Sequence, residues 1–265
     1  MIYTDFVFSG MRDNYFHNMK TLIKPLFEFD YNVNTSSLTD LILAQKEDVG
    51  TVIKNEDDEE TKNPDVDLFA VFSMLPITYY LSGKGVDAES VSKQIYEILK
   101  SKIDKYAESD NDRSTATDIL KGSRVGLLVS ERMMNLPQEA IPICLNFLIN
   151  EIGECREEET YDGKFDLDYI IVMSKFVKRI VSNDFKKIKK SKTDNNVQSS
   201  EEILHYKFET EHYLKKAVVN ISYKIPYEQM NMEYLENKNE PQYFSIMFLK
   251  TKDFVDIANY LNNNK

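Results

Sequence analysis

A chain of 265 residues, 42% hydrophobic and 29% charged, has enough material for a full buried core, and its formal net charge of −11 argues against a nucleic-acid-binding surface as the main function. No apolar run approaches the roughly 18 residues that span a bilayer, and Cys144 and Cys155, the only cysteines, argue against a disulfide framework. The sequence opens on a strand-like segment rather than a basic-then-apolar leader, which predicts a nuclear or cytosolic address, and the acidic surplus favours a basic partner.

Ile2, Thr4, Phe6 and Phe8 alternate with Tyr3, Asp5 and Val7, predicting a first strand that ends at Gly10. Asp13 or Asn14 caps the next helix, whose apolar stripe is Phe16, Met19, Leu22, Ile23, Leu26 and Phe27, with Pro25 kinking or ending it. The hydroxyls of Thr35, Ser36 and Ser37 open a second helix running through Leu38, Leu41, Ile42 and Gln45. Residues 49–54 and 67–75 read as a hairpin around an acidic loop, 55–66, too charged to pack. Ser82-Gly83-Lys84-Gly85 precedes a helix over 87–106 with Val91, Ile95, Ile98, Leu99 and Ile103 on one face. Residues 107–114 read as polar and mobile, and 116–120 as a further helical turn.

The organising stretch is 124–152. Val125, Leu127, Leu128 and Val129 form the short apolar run of a strand covered on both faces. Ala140, Ile141, Cys144, Leu145, Leu148 and Ile152 recur at spacings of three and four, the stripe of a helix that lies on a sheet and stops at Gly153. Between them, Ser130-Glu131-Arg132 and Asn135-Leu136-Pro137 make a polar turn, where α/β sheets place functional groups, with Pro137 in the first helical turn.

Eight acidic residues follow over 151–168, then an apolar strand over 169–173, then eight Lys or Arg against Asp184 alone over 175–192. The flexible lysine-rich loop spans 182–199. Ser199 and Glu202 suggest a capping box for a helix beginning at Glu201. Ala217, Val219, Ile221, Tyr223 and Ile225 alternate as a strand, 226–242 is a polar connection, 243–249 is the last strand, and Asp253 caps a final helix. The expected architecture is a single α/β domain over 1–265, a mixed central sheet flanked by helices.

The segment order, together with VNTSSLTDLILAQKEDVGTVIK, RVGLLVSERMMNLP, YIIVMSKF and the lysine-rich loop, resembles the BCCIP family over nearly the whole chain. The sequence departs from that family in lacking an acidic N-terminal extension and in Pro25. The resemblance implies a fold similar to the GCN5-related acyltransferase fold, no enzymatic activity and no cofactor. It also implies a nuclear protein that shuttles with the cytoplasm and acts as adaptor or chaperone, assisting the transport of partners such as a basic large-subunit ribosomal protein or their assembly into ribosomes. The alternative reading is an acyl-CoA-dependent acetyltransferase of the GCN5-related type. Such enzymes hold the cofactor pyrophosphate on a Gly-x-Gly/Ala turn. Tyr80-Leu81-Ser82-Gly83-Lys84-Gly85 occupies about that place, with Tyr80 where a polar residue is usual.

Other candidate sites carry plain readings. Ser130 has no histidine near it in sequence, so Glu131 and Arg132 read as a structural pair. His205 and His212 could share a helical face, but without cysteines at zinc spacing no metal is expected. The partner-binding candidates are Glu56, Asp57, Asp58, Glu59 and Glu60, helped by Asp65 and Asp67, with Met133, Met134 and Leu136 as the apolar contact. Lys186, Lys187, Lys189 and Lys190 are the candidates for recognition by an import receptor. Neither a membrane nor direct nucleic-acid contact is expected.

Overall fold

The computed structural model describes residues 6–27, 33–55, 67–83, 88–181, 200–226 and 241–264. One mixed sheet runs in the order β1-β2-β3-β4-β5-β8-β7, with β6 also pairing with β5. Its strands are β1 (Phe6–Gly10), β2 (Thr51–Asn55), β3 (Leu68–Leu75), β4 (Val125–Arg132), β5 (Tyr169–Val181), β6 (Ser200–His205), β7 (Val219–Lys224) and β8 (Gln242–Lys250). The hairpin read from 49–75 is present as antiparallel β2 and β3, and the acidic residues 56–66 between them lie outside the described residues, as does 182–199. Strand one begins at Phe6, and the expected residues before it also lie outside.

Alternation sends the two faces of each central strand into two cores. Val125, Leu127 and Val129 of β4 join Ile171, Met173, Ile246 and Phe248 on one face, covered by α1 (Phe16–Ile23), α2 (Thr35–Leu43), α3 (Ile77–Leu81), α4 (Ala88–Tyr106) and α5 (Asp110–Gly122). Leu128, Ile170, Val172 and Met247 face the other way, under α6 (Ala140–Glu157), α7 (Thr210–Lys216) and α8 (Thr251–Asn263). The α6 stripe Ile141, Cys144, Leu145 and Leu148 is fully buried, about 1.5–3 kcal/mol for each Leu or Ile by apolar transfer. Gly126 faces this second core, where an added Cβ would come within 2.5 Å of Leu167 Cδ1 and 2.9 Å of Met74 Sδ.

Several local expectations change. Helix α2 is capped by Asn34, whose side chain accepts from the Ser36 and Ser37 amides, rather than by the hydroxyls after it. A 3-10 turn at Asp13–Tyr15 with no side-chain cap leads into α1, and α1 ends at Ile23 before a second 3-10 turn that holds Pro25. Residues 110–122 form a full helix, capped by Ser109 accepting from the Asp112 amide, because Ala116, Ile119 and Leu120 give it an apolar edge. Gly153 does not end α6, which continues to Glu157 because its last turn is anchored by buried Cys155 and by Arg156 donating to the Phe165 carbonyl. Pro137 lies before α6, and Asp253 sits in the first turn of α8 without capping it.

The largest correction is at 201–205, which is a strand and not a helix. Strand β5 continues to Val181, far beyond the apolar run that marks its start, and β6 fills its free edge in antiparallel register from Phe176↔His205 to Val181↔Ser200. The helix follows later, over α7.

Candidate functional site

Strands β4 and β5 are parallel and pair only through Val125↔Tyr169, Gly126↔Ile170 and Leu127↔Ile171. Beyond that they part: β4 stays on β3 to the pair Ala70↔Arg132, while β5 stays on β8. From Phe176 onward β6 occupies the edge of β5 that β4 has left. Between these pairings, 172–174 are matched to neither strand on that side, the Lys175 carbonyl accepts from the Tyr206 amide just beyond β6, and parted strands expose backbone groups that need partners.

The segment that follows β6 closes this gap with charge. Lys207 Nζ donates to the Ser130 carbonyl and, at 2.8 Å, to Glu131 Oε1. Arg132 forms a two-pronged pair with Glu209, Nη1 to Oε1 at 2.7 Å and Nη2 to Oε2 at 2.8 Å, with side chains 10% and 2% exposed. Burial works against the Arg132 charge, and the hydrogen bonds and charge of Glu209 more than offset it, so its pKa is raised. Ser174 and Thr210 share a buried hydroxyl bond of 2.8 Å. The sequence reading of Ser130-Glu131-Arg132 as a turn is therefore corrected. All three lie on β4, and Glu131 and Arg132 pair with Lys207 and Glu209 rather than with each other.

What remains of the gap is a cleft of about 180 Å3, bordered by Leu26, Leu136, Met173, Phe208 and Phe244, with Glu131, Arg132, Ser174, Lys175 and Lys207 among its polar walls. Met134, 90% exposed, and Tyr206, 42% exposed, also line it. Of the three apolar contact candidates, Leu136 is buried in the second core and borders the cleft, Met134 lines it, and Met133 is 43% exposed with its amide on the Phe69 carbonyl. Glu56, Asp57, Asp58, Glu59, Glu60 and Asp65, and Lys186, Lys187, Lys189 and Lys190, lie outside the described residues, while Asp67 is exposed just before β3.

The residues proposed for a phosphate-binding turn serve another purpose. Tyr80 lies in the last turn of α3 with its ring buried and its hydroxyl donating to Gln45 Oε1 at 2.9 Å, and burial pushes its pKa up. Gln45 Nε2 in turn donates to the Met74 carbonyl, so Tyr80 belongs to a buried network joining the turn after α2 to β3 and α3. Tyr79 beside it donates to the Asp162 carboxylate, and burial with that bond raises its pKa to about 12. Gly83 has φ +79, and Lys84 and Gly85 lie outside the described residues.

His205 ends β6 against Phe176 and His212 lies on α7 against Tyr260, so no helix carries both. Among the described residues no three His, Cys, Asp or Glu side chains are placed to hold a metal, and no helix is long and apolar enough to cross a membrane. Both cysteines are buried thiols.

Sequence reasoning missed Lys207 and Glu209, which lie more than seventy residues from their partners. Their only signal was two charges beside Phe208 and Tyr213, an apolar context that hides an ion pair. It also missed Glu151, which accepts from the Gly50 amide and the Thr51 hydroxyl and so fixes the start of β2 to α6.

Comparison with known proteins places this arrangement. The family model BCCIP matches residues 1–213. "Protein BCCIP homolog" of Danio rerio is 30% identical over 229 residues, covering 84% of this chain and 69% of that protein. "BRCA2 and CDKN1A-interacting protein" of Bos taurus is 28% identical, covering 83% and 68%. The crystal structure of BCP1 from Saccharomyces cerevisiae superposes with a TM-score of 0.63 over 98% of this chain and 89% of that one, at 17% identity, which shows a shared fold. The family model, and a zebrafish relative matched over more than two thirds of its length, establish that this chain belongs to the BCCIP family.

Proposed function

We propose that the protein is a non-enzymatic nuclear adaptor or chaperone that binds a basic partner, such as a large-subunit ribosomal protein, and supports its nuclear transport or its assembly into ribosomes. The observation that carries the reading is the condition of the charged groups in the cleft. Acid–base or nucleophilic chemistry needs a titratable group free to reach a substrate proton. Here Glu131 is held by Lys207, Arg132 is held by a buried Glu209, and the Ser174 hydroxyl is bonded to Thr210. These groups close the sheet, and the surface they leave is apolar at its floor with exposed Met134 and Tyr206 at its edge.

The bovine relative is named for interacting with BRCA2 and CDKN1A, and that name supports protein binding as the family's task. The net charge of −11, with five acids in succession at 56–60, favours a cationic partner and a fast, salt-sensitive encounter. Kinship with the GCN5-related acyltransferase fold is part of the same proposal and rests on the family resemblance, with the mixed sheet compatible. The acetyltransferase alternative is disfavoured because Tyr80 is committed to Gln45 and because a cleft of about 180 Å3 is smaller than the roughly 300–1,000 Å3 of small-molecule sites.

Nuclear residence with cytoplasmic shuttling is proposed from the cluster Lys186, Lys187, Lys189 and Lys190, which an import receptor would read. Changing all four to Ser should slow nuclear accumulation of the full chain, and unchanged accumulation would remove the cluster from import. The partner proposal is tested by adding the chain to isolated large-subunit ribosomal proteins in low and moderate salt. At least one should be held soluble in a complex that weakens as salt rises; a chain that keeps none of them soluble and forms no complex is not their chaperone.

A further inference from the structure

We infer that the outer edge of β1 is a self-association site, at which β1 of a second copy of this chain pairs antiparallel and carries the sheet across two molecules. The inference goes beyond the adaptor reading and does not depend on it. Backbone chemistry comes first. Among the described residues β1 is the outermost strand on its side of the sheet, paired with β2 from Phe6↔Asn55 to Gly10↔Thr51 without a bulge. Such an edge presents amides and carbonyls that another extended strand satisfies in register. Sheet edges are ordinarily guarded by Lys, Pro or a bulge. Phe6-Val7-Phe8-Ser9-Gly10 has none of these. The opposite edge is guarded: β7 ends in Lys224, and Lys102 Nζ lies 4.9 Å from the centre of the Tyr223 ring.

Side chains narrow the guest. Phe6 and Phe8 pack on the second core but are only partly buried, Phe6 edge-on to Phe69 at 5.2 Å and Phe8 edge-on to Phe147 at 5.6 Å between ring centres. Phe147 is itself 38% exposed on α6. Charge is missing around it: from Ala140 to Asn150, α6 has no Asp, Glu, Lys or Arg, in a chain that is 29% charged. Exposed aromatic side chains with charge depleted around them are the composition of an interface centre. A basic guest would find no acid in β1 or in that stretch of α6, and an acidic guest no base.

A second copy meets both requirements, because it brings an open strand edge whose residues are uncharged. A two-fold axis perpendicular to the sheet sets β1 antiparallel to its counterpart and keeps the same face of both sheets on one side. Phe6, Phe8 and Phe147 of the two molecules then form one aromatic strip, and no like charges stand opposite each other along the paired strands. Two features make the association weak. A strand of 5 residues is a short contact beside the roughly 800 Å2 per partner of a stable interface. Each copy also carries a net charge of −11, a repulsion that salt screens. Self-association therefore strengthens as salt rises, the reverse of the encounter proposed for a basic partner.

The test is sedimentation velocity on the full chain from about 5 to about 500 μM, at low and moderate salt, a range that brackets a dissociation constant of tens to hundreds of micromolar. Dimer should accumulate with concentration, more so at moderate salt, and hydrogen exchange at the β1 amides should slow in step with it. Ser9→Lys, which guards the edge with like charges, should keep the chain monomeric throughout, and Phe147→Ser should weaken the dimer by about tenfold, with folding of both variants followed by melting temperature. A chain that stays monomeric at every concentration overturns the inference. So does a dimer that Ser9→Lys leaves intact, or one whose β1 amides exchange as fast as in the monomer. If a basic ribosomal protein slows exchange at β1 while the chain alone stays monomeric, the edge belongs to that partner and the second copy is excluded.

Discussion

Replacing Arg132 by Ala leaves the Glu209 carboxylate, only 2% exposed, without the guanidinium that now donates to both its oxygens. Breaking a buried pair from one side costs about 3–5 kcal/mol, because the remaining charge can neither return to water nor find a new partner. Against a total stability of about 5–15 kcal/mol, that is a large fraction. Glu209→Ala should cost a similar amount by stranding Arg132. Changing both to Leu removes both charges and restores apolar volume beside Tyr213 and the second core, so the double variant should lose far less than the two single losses added together. Urea denaturation of the four proteins measures this directly. The reasoning is refuted if either single variant loses under about 1 kcal/mol, as an exposed ion pair would, or if the losses add within about 0.5 kcal/mol.

Gly126→Ala should destabilise by about 1–3 kcal/mol in the same assay, because its Cβ would press on buried Leu167 and Met74; a neutral result would mean that this core gives way easily. Asp168 accepts from the Arg124 amide and side chain, and those hydrogen bonds hold its carboxyl below the usual range. A depressed folded pKa adds stability above the unfolded value of about 3.9 and loses it as pH falls through the folded value. Asp168→Asn should therefore flatten the loss of stability below about pH 4, and an unchanged acid limb would show the pair to be unimportant. Acetyl-CoA should leave the melting temperature unchanged, whereas a true ligand at a hundred times its Kd would add about 2.7 kcal/mol, and saturable stabilisation would reinstate the acetyltransferase alternative.

The parts of the fold that could be read from the sequence were those whose burial is periodic. The β4 run Val125, Leu127, Leu128 and Val129 and the α6 stripe from Ala140 to Leu148 are apolar because each lies between two layers, and both appear as expected. Strand β6 was misread because Ser199 and Glu202 match a helix-capping pattern. Its conformation is decided elsewhere, by the edge of β5 that becomes available once β4 departs. Helix α5 was under-read because one of its sides is almost wholly polar. The candidate site was half legible. The stretch from Ser130 to Leu136 drew attention through its change from apolar to polar and back, and it does border the cleft. The cleft itself arises from two strands parting after three paired residues, and its ion pairs join segments distant in sequence, neither of which leaves a local pattern.

The proposed role is recruitment of a basic partner without chemistry on it. Its most direct test is the association rate of an isolated basic ribosomal protein with the full chain, compared with a variant in which Asp57, Asp58, Glu59 and Glu60 are Ser, across a range of salt. Recruitment through these acids requires an on-rate about tenfold or more lower for the variant at low salt, with the two rates converging as salt rises. An identical on-rate and salt slope for the two proteins would contradict it.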